Sequence, residues 1–243
     1  NEHLIGLMNT FKRLSKKEIL DWIFASIGRY NFSLVSEKGY EYYKCESSKG
    51  LSSYNKDGFN RLRNDFNDKK EKDDEYYLML YLLIVYSFNN QLRFNRKGEF
   101  NLPVGKRDFN SKMQSKLESF LDRIKSGDYS FIKGDFRDIN LGEFTNKSFF
   151  YADPPYLITC ATYNEQNGWT EKDEYDLLSY LEEIDKRGIR FALSNVLESK
   201  GKKNEILLAW IKKNKKFKAI PLDYDYSNSN YHAKLRDSVT KYW

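Results

Sequence analysis

The chain has 243 residues, which is enough for one large domain or two modest ones. Hydrophobic residues make up 40% and charged residues 31%, a balance that excludes intrinsic disorder and predicts a core beneath a densely ionised surface. The net charge of +6 suits a polyanionic partner such as nucleic acid, and the aromatic content of 16% supplies rings for base stacking or for a core.

Several classes of protein are excluded by simple counts. Two cysteines, Cys45 and Cys160, and two histidines, His3 and His232, are too few for a disulfide scaffold or a structural zinc site. The longest apolar run, residues 76–86, is shorter than the roughly 20 residues that span a bilayer, and the chain has no signal peptide. We expect a cytoplasmic protein with no membrane segment and no metal.

The first part of the chain, up to about Lys112, is predicted to be helical and basic. Its strongest helix spans residues 74–86, where acidic residues open the helix and apolar residues surround it, which predicts that it is buried. Residues 92–103 then place a glycine-containing turn between two arms that carry aromatic residues. This pattern predicts a β-hairpin, one of the shapes that enter a DNA groove.

From about Met113 onward, strand-like runs alternate with helical ones, which predicts an α/β sheet. Three strands are predicted at residues 129–133, 148–152 and 190–193, and each ends in a polar residue. Because ligands bind at the carboxyl ends of strands in open α/β sheets, the three strand ends indicate one shared crevice.

A helix is predicted between the last two of these strands. It opens with Thr170 and Asp173 at capping-box spacing, and Gly188 follows its basic last turn. Its apolar face consists of Leu177, Leu178, Leu181 and Ile184. Residues 217–220 and 238–243 are weaker candidates for further strands.

The most specific motif directly follows the predicted strand 148–152. Two consecutive prolines cannot continue a sheet ladder, so the backbone turns rigidly and its carbonyls remain as acceptors. A carboxylate and a fixed proline carbonyl can both accept hydrogen bonds from an exocyclic amino group, while a tyrosine ring stacks on the base that carries it. The motif, called the tetrad below, consists of Asp153, Pro154, Pro155 and Tyr156.

Across residues 151–159, the capped helix and the pair Ser194-Asn195, the chain resembles the Dam-type, α-class DNA adenine-N6 methyltransferases. The resemblance implies an α/β fold: a Rossmann-like S-adenosylmethionine-dependent core with an inserted helical and β-hairpin target-recognition domain. It implies methyl transfer to N6 of an adenine flipped out of double-stranded DNA at a GATC-like site, with the tetrad as the catalytic residues. We expect a monomer from a bacterium or phage, in a restriction-modification or regulatory role.

The same resemblance divides the chain into three parts. Residues 1–3 correspond to the end of the N-terminal part of the catalytic domain, residues 4–113 to the target-recognition domain that binds DNA, and residues 114–243 to the catalytic methyltransferase domain.

A second, independent match lies in residues 88–106, which resemble the recognition hairpin of the same family. There, the aromatic residue at Phe88 inserts into the base stack, the asparagine at Asn89 helps to fill the gap left by the flipped adenine, and the arginine at Arg93 reads a guanine. Pro103 and Lys106 are expected to line the same surface, with the lysine on a phosphate. Arginine is the usual bidentate reader of guanine, and an aromatic wedge compensates for lost stacking.

The resemblance also assigns a cofactor site. Asp135 and Phe136 occupy the position that holds the adenine of S-adenosylmethionine, Glu2 the acidic position that binds the ribose hydroxyls, and Asp153 borders both sites. From the residues alone, Asp135 is equally a turn or helix N-cap residue, and Glu2 is equally a solvated charge. Tyr163 and Trp169 either cover the flipped base or pack on the sheet.

The family's glycine-rich loop has no counterpart in this sequence, because the 13 glycines include no Gly-x-Gly. The order of the motifs places that loop before Asn1, so we expect a longer native protein that is active, and weak cofactor binding by the 243 residues alone. Two alternatives stay open: a DNA-binding fragment without catalysis, and an amino-methyltransferase that acts on RNA or on cytosine N4.

Overall fold

The computed structural model describes residues 1–45, 50–158, 168–199 and 201–222, together with the backbone of 241–242. The chain divides into two compact units, Asn1–Lys133 and Gly134–Trp243. Within the described ranges, every helix is too short or too polar to span a bilayer.

The first unit is built from helices, as the sequence predicts. They are α1 (Glu2–Arg13), α2 (Lys16–Arg29), α3 (Val35–Tyr42), α4 (Ser52–Asp68), α5 (Asp74–Tyr86) and α6 (Ser111–Ser126). The predicted domain boundary at residue 113 falls inside α6. That helix belongs to the first unit because its buried residues Leu117, Leu121 and Ile124 join the core around α5. The assignment of recognition and catalytic roles to the parts of the chain stays a prediction.

Helix α5 spans the predicted residues and forms the centre of this unit. It packs against α1, α2 and α4, and eight of its residues are buried: Tyr76, Leu78, Met79, Leu80, Leu82, Leu83, Val85 and Tyr86. Asp73 caps its N-terminus by accepting a hydrogen bond from the Tyr76 N–H at 2.9 Å. A helix that is apolar on all sides has to be covered on all sides, and the surrounding helices do this.

The predicted strand at residues 129–133 is wrong, because this segment pairs with no strand in the part of the chain that the structure describes. Tyr129 and Phe131 pack against the helical core of the first unit. The side chain of Lys12 donates to the Tyr129 carbonyl, and the Asn9 amide donates to the Phe131 carbonyl at 3.3 Å. Side chains of α1 therefore supply the hydrogen bonds that a neighbouring strand would otherwise provide.

The second unit contains a parallel strand pair joined by a helix. Strands β1 (Phe149–Ala152) and β2 (Arg190–Leu193) lie side by side in parallel, and α7 (Glu171–Lys186) connects them. Both strands and the helix confirm the sequence prediction. The predicted apolar face of α7 is buried, and its residues pack against β1 and β2.

A second, antiparallel sheet and one further helix complete the described part of this unit. They are β3 (Val196–Ser199), β4 (Lys202–Lys203), β5 (Lys241–Tyr242) and α8 (Glu205–Lys213), with β3 between β4 and β5. Strand β5 lies in the predicted run 238–243, whose other residues are outside the described ranges. The predicted strand 217–220 is wrong: a turn carries Phe217 onto the ring of Trp210, 4.9 Å between centroids, so packing of this aromatic replaces sheet pairing.

Candidate functional site

The tetrad directly follows β1, at the carboxyl end of the parallel pair. The Tyr156 hydroxyl donates to Asp153 Oδ1 at 2.9 Å and lies 3.0 Å from the hydroxyl oxygen of Ser194. A tyrosine hydroxyl has one hydrogen, so the Ser194 hydroxyl is the donor in the second bond. The Ser194 N–H also donates to the Ala152 carbonyl at 2.9 Å, which extends the ladder beyond β2. Two strand ends that are remote in sequence thus meet at the tetrad.

The N-terminus of α7 lies at the same edge. The helix returns the chain from β1 to the parallel strand β2, so it runs antiparallel to both strands and begins where they end. Thr170 and Asp173 form the predicted capping box, in which each side chain accepts from the other residue's backbone N–H. The Thr170 hydroxyl and N–H both donate to the Asp173 carboxylate, and the Arg137 guanidinium donates a further hydrogen bond. Together these bonds lower the pKa of Asp173 to about 2.

A buried carboxylate that sequence reasoning missed lies one residue further along α7. Glu174 is fully buried and accepts three hydrogen bonds: Asn195 and Asn204 donate to Oε1 at 3.0 and 2.8 Å, and the Trp169 indole donates to Oε2 at 2.7 Å. Its position was a usable signal. Glu174 lies three residues before Leu177 on the apolar face of the helix, where a carboxylate has to be paired.

Asp135 belongs to the second unit and caps the short 3-10 turn Phe136–Asp138. It accepts from the Arg137 N–H at 3.0 Å, and this bond is the chief favourable influence that lowers its pKa. Arg137 also contacts Asp173 at 2.6 Å and Asp176 at 2.9 Å, so it ties the turn to the N-terminal half of α7. Asp135 therefore lies near the same edge of the sheet as the tetrad, and its role as an N-cap does not exclude binding.

Phe136 lies in an aromatic cluster beside this edge. Its ring centroid is 5.6 Å from that of Tyr180 and 6.2 Å from that of Trp169. Among the described residues, the hydroxyl of Tyr180 is a buried side-chain polar atom with no hydrogen-bond partner. Trp169 therefore packs on the sheet side of the unit, as one of the two sequence interpretations expected, whereas Tyr163 and Cys160 lie outside the described residues.

Glu2 belongs to the first unit, at the N-terminus of α1. Its carboxylate pairs with Lys72 at 2.5 Å and with Lys133 at 2.9 Å. The hydrogen bond from Lys72 is the main reason that the pKa of Glu2 falls to about 2. Glu2 is therefore an exposed charge that is ion-paired in this structure, and its assignment to the ribose hydroxyls stays a prediction.

The chain between α5 and α6 brings together the residues expected to contact DNA. The Phe88 N–H donates to the Pro103 carbonyl at 2.9 Å, and the Gly105 N–H donates to the Tyr86 carbonyl at 2.7 Å. A side chain at Gly105 would place Cβ 2.3 Å from the Ser87 carbonyl oxygen, so the two backbones approach this closely only because the residue is glycine.

Asn89 and Asn90 carry the chain out of α5 in the left-handed region, with φ of 55° and 52°. Asparagine tolerates this conformation better than most residues, and the Asn90 amide stabilises it by donating to the Val85 carbonyl at 2.7 Å. The Asn89 side chain is exposed and Phe88 is partly exposed, so both lie where a nucleic acid can reach them.

Residues 93–101 fold back on themselves around the predicted turn at Gly98. Phe94 and Phe100 form an antiparallel bridge, and Asn95 and Glu99 exchange backbone and side-chain hydrogen bonds. The predicted β-hairpin at residues 92–103 is thus present as a tight turn with one bridge, and the described residues on either side of the bridge do not form two regular strands. Pro103 and Lys106 are exposed on the segment that follows, near Phe88 along the backbone pairing.

Comparison with known proteins identifies the family of the chain. A family model described as D12 class N6 adenine-specific DNA methyltransferase matches residues 7–234. The chain is 33% identical over 244 residues to the type II methyltransferase M.FokI of Planomicrobium okeanokoites, across 98% of the chain and 34% of that relative. It is 39% identical over 165 residues to the modification methylase LlaI of Lactococcus lactis subsp. lactis, across 66% of the chain and 26% of the relative.

A third relative is the DNA adenine methylase of Vibrio cholerae serotype O1, 30% identical over 141 residues, across 55% of the chain and 49% of the relative. The chain spans between a quarter and a half of the length of these three proteins. In the part of the chain that the structure describes, no group of three or more His, Cys, Asp or Glu residues is arranged to hold a metal ion.

Proposed function

Because the chain belongs to the D12 class of N6 adenine-specific DNA methyltransferases, we propose that it transfers a methyl group from S-adenosylmethionine to N6 of an adenine in double-stranded DNA. The observation that carries this proposal is the meeting of Asp153, Tyr156 and Ser194 at the carboxyl edge of the parallel strands. This arrangement supplies a carboxylate, fixed proline carbonyls and an aromatic ring at one point.

The proposed chemistry uses positioning and charge. Asp153 and the Pro154 carbonyl accept hydrogen bonds from the adenine amino group, which directs the nitrogen lone pair and stabilises the positive charge that develops on it. Oδ1 of Asp153 already accepts from Tyr156, so Oδ2 faces the amino group in this proposal. Pro155 keeps the turn rigid, and the Tyr156 ring stacks on an adenine flipped out of the duplex.

The residues of the second unit suit an adenosine at this edge. The Asp135 carboxylate can accept from hydroxyl or amino groups while it holds Arg137, and the Phe136 ring lies beside it with the Arg137 guanidinium over one face. When bound, S-adenosylmethionine supplies an electrophilic methyl group on a sulfonium centre. In the first unit, Glu2 is proposed to accept hydrogen bonds from the ribose hydroxyls. Its carboxylate is paired with two lysines in this structure.

We assign recognition of DNA to residues 88–106, within the proposed inserted recognition domain of a Rossmann-like enzyme. Phe88 is proposed as the wedge in the base stack, Asn89 as the residue that fills the gap, and Arg93 as the reader of a guanine in a GATC-like site. Pro103 and Lys106 line the same surface. What supports this is that backbone hydrogen bonds join the Phe88 and Pro103 segments in the structure.

One observation favours a second candidate function, a DNA-binding fragment without catalysis. Loops in which glycines allow close approach of a cofactor commonly contain Gly-x-Gly, and these 243 residues contain none. A chain that holds the tetrad and the recognition residues, and that lacks tight cofactor binding, would recognise DNA and leave it unmethylated.

One experiment separates the two candidates. The protein is incubated in single turnover with unmethylated bacterial DNA and saturating S-adenosylmethionine labelled in the methyl group, and the DNA is digested to nucleosides. Label in N6-methyladenine supports the proposed function. Specific DNA binding without label supports the fragment without catalysis, and label in N4-methylcytosine contradicts the choice of adenine.

A further inference from the structure

Glu174 joins three segments of the second unit that are remote in sequence. Its three donors are Trp169 before α7, Asn195 after β2 and Asn204 at the start of α8, and these four residues are called the Glu174 cluster below. Glu174 and Asn204 are fully buried, and Asn195 is nearly so. A buried carboxylate is costly unless hydrogen bonds replace its water, and the three donors supply those bonds to Glu174.

The two asparagines are held in one orientation. The Asn195 side-chain oxygen accepts from the Val196 N–H at 2.8 Å, and that of Asn204 accepts from the Leu207 N–H at 3.0 Å. Each amide oxygen is therefore engaged, and each NH₂ group points at Glu174. A half-turn flip of either amide would break both of its hydrogen bonds, so each asparagine keeps its NH₂ group directed at the carboxylate.

The cluster borders the tetrad through Asn195 and borders Phe136 through Trp169. Asn195 directly follows Ser194, whose hydroxyl lies 3.0 Å from that of Tyr156. The centroid of the Trp169 ring lies 6.2 Å from that of Phe136. One carboxylate therefore restrains the segment that holds the tetrad tyrosine and the ring beside the proposed adenosine site.

We propose that Glu174 is a positioning residue for methyl transfer, which acts through Asn195 and Ser194 on Tyr156 and through Trp169 on the proposed cofactor edge. The inference rests on the proposed function. Effects on rate follow from geometry, because a misplacement of about 1 Å at a reacting group costs about 100-fold. Glu174 itself reaches neither substrate, so its loss is expected to lower kcat and to leave the KM for DNA unchanged.

The same helix offers a matched control. Oε1 of Glu182 accepts from the Trp210 indole at 2.9 Å and from the Asn214 amide at 3.1 Å. Glu182 thus makes the same kinds of bond two turns along α7, toward α8 and away from the tetrad. Glu182 is partly exposed and both of its donors share Oε1, so Glu182→Gln controls for the loss of a hydrogen-bonded carboxylate from α7 without a donor-to-donor contact.

Glu174→Gln is a selective change. Its single side-chain oxygen can still accept from both asparagines, whereas its NH₂ group faces the Trp169 indole, donor to donor. Nitrogen-15 NMR observes the Trp169 indole N–H directly. The Trp169→Phe variant assigns its signal, because that signal disappears from the spectrum. We expect Glu174→Gln to shift only the Trp169 signal and to speed its exchange with water, and Glu182→Gln to shift only the Trp210 signal.

Kinetics then test the positioning role in the full-length protein. Glu174→Gln is expected to lower kcat about tenfold or more, with the KM for DNA within about twofold of the unmodified protein. Glu182→Gln is expected to keep kcat within about twofold. Trp169→Phe should reproduce part of the loss, and the double variant should be no slower than Glu174→Gln, because both changes break one bond.

Several outcomes overturn the inference. They are a Glu174→Gln protein whose Trp169 signal moves while kcat stays within about twofold, an equal loss in Glu182→Gln, and multiplicative losses in the double variant. An unfolded Glu174→Gln protein leaves the decision to Trp169→Phe, where unchanged kcat has the same meaning. Absence of methylation by the unmodified protein would instead count against the proposed function, so the two failures are distinct.

Discussion

Arg93 is held in place by Asn101 across the hairpin. Its Nε donates to Asn101 Oδ1 at 2.9 Å, and Nη2 donates to the Asn101 carbonyl at 3.0 Å. The Asn101 N–H in turn donates to the Arg93 carbonyl at 3.2 Å. A guanidinium has five N–H donors in a fixed plane, so two bonds orient the group and leave donors for a base edge. The arginine proposed to read guanine is therefore oriented before DNA arrives.

Arg93→Ala is expected to reduce discrimination at one G·C pair by about 1–3 kcal/mol, because the bidentate contact to guanine is lost. Binding to the preferred site and to sites changed at single base pairs is measured by competition. Arg96→Ala is the control, since Arg96 lies exposed in the turn and carries the same charge. If site preference survives Arg93→Ala, the hairpin does not read this base pair as proposed.

Asp153→Ala is expected to lower kcat by at least about 100-fold while DNA binding is retained, because the group that holds the adenine amino group is removed. Labelled methyl transfer and a DNA-binding titration on the same preparation measure the two properties. Glu183→Ala, which removes a surface carboxylate paired only with Arg187 in the described contacts, should leave both unchanged. Turnover that survives in Asp153→Ala would contradict the assignment of the tetrad.

Lys106→Ala is expected to weaken DNA binding to all sequences alike and to reduce the slope of log K against log salt by about 1, since one phosphate contact is lost. Binding titrations at several salt concentrations provide the slope. Lys17→Ala is the matched control, because Lys17 pairs with Asp21 on the surface of α2. Equal slopes in the two variants would show that Lys106 is not on a phosphate.

Gly105→Ala is expected to destabilise the protein by about 1–3 kcal/mol, because the new Cβ would lie 2.3 Å from the Ser87 carbonyl oxygen and the backbones would have to separate. Urea unfolding measures the change. Gly28→Ala, at a helical position with nothing within 4 Å of the added Cβ, should be neutral or stabilising. A neutral Gly105→Ala would mean that the pairing between the Phe88 and Pro103 segments adjusts freely.

Thr170→Ala is expected to make stability less dependent on acid pH. The folded pKa of Asp173, about 2, lies below the ordinary value of 3.8, so its contribution is complete above about pH 4 and is lost as the pH falls through 2. The free energy of unfolding of the variant should be about 1 kcal/mol lower than that of the unmodified protein at pH 7, and this difference should be smaller near pH 2.

Urea unfolding at a series of pH values measures this. Thr145→Ala is the control, since the Thr145 hydroxyl accepts from the Lys147 N–H, a bond that involves no carboxylate. The change in unfolding free energy in this variant should be independent of pH between 2 and 7. A difference between Thr170→Ala and the unmodified protein that stays constant across this range would contradict the role of the Thr170–Asp173 bonds.

The elements that the sequence alone determined depend on short stretches of chain. The apolar circumference of α5, the capping box of α7 and the two prolines of the tetrad each act within a few residues, so they predict structure without knowledge of any partner. The same holds for the turn at Gly98, which brings Phe94 and Phe100 together. These features locate both proposed sites along the chain.

The tertiary structure decided what depends on partners remote in sequence. Residues 129–133 look like a strand, yet side chains of α1 donate to two of their carbonyls, and no strand among the described residues pairs with them. The spacing of Glu174 and Leu177 places a carboxylate on the apolar face of α7, yet only the fold brings its three donors from separate segments. Whether a polar group meets water, a strand or a distant side chain depends on how the elements pack, and only the folded chain determines that.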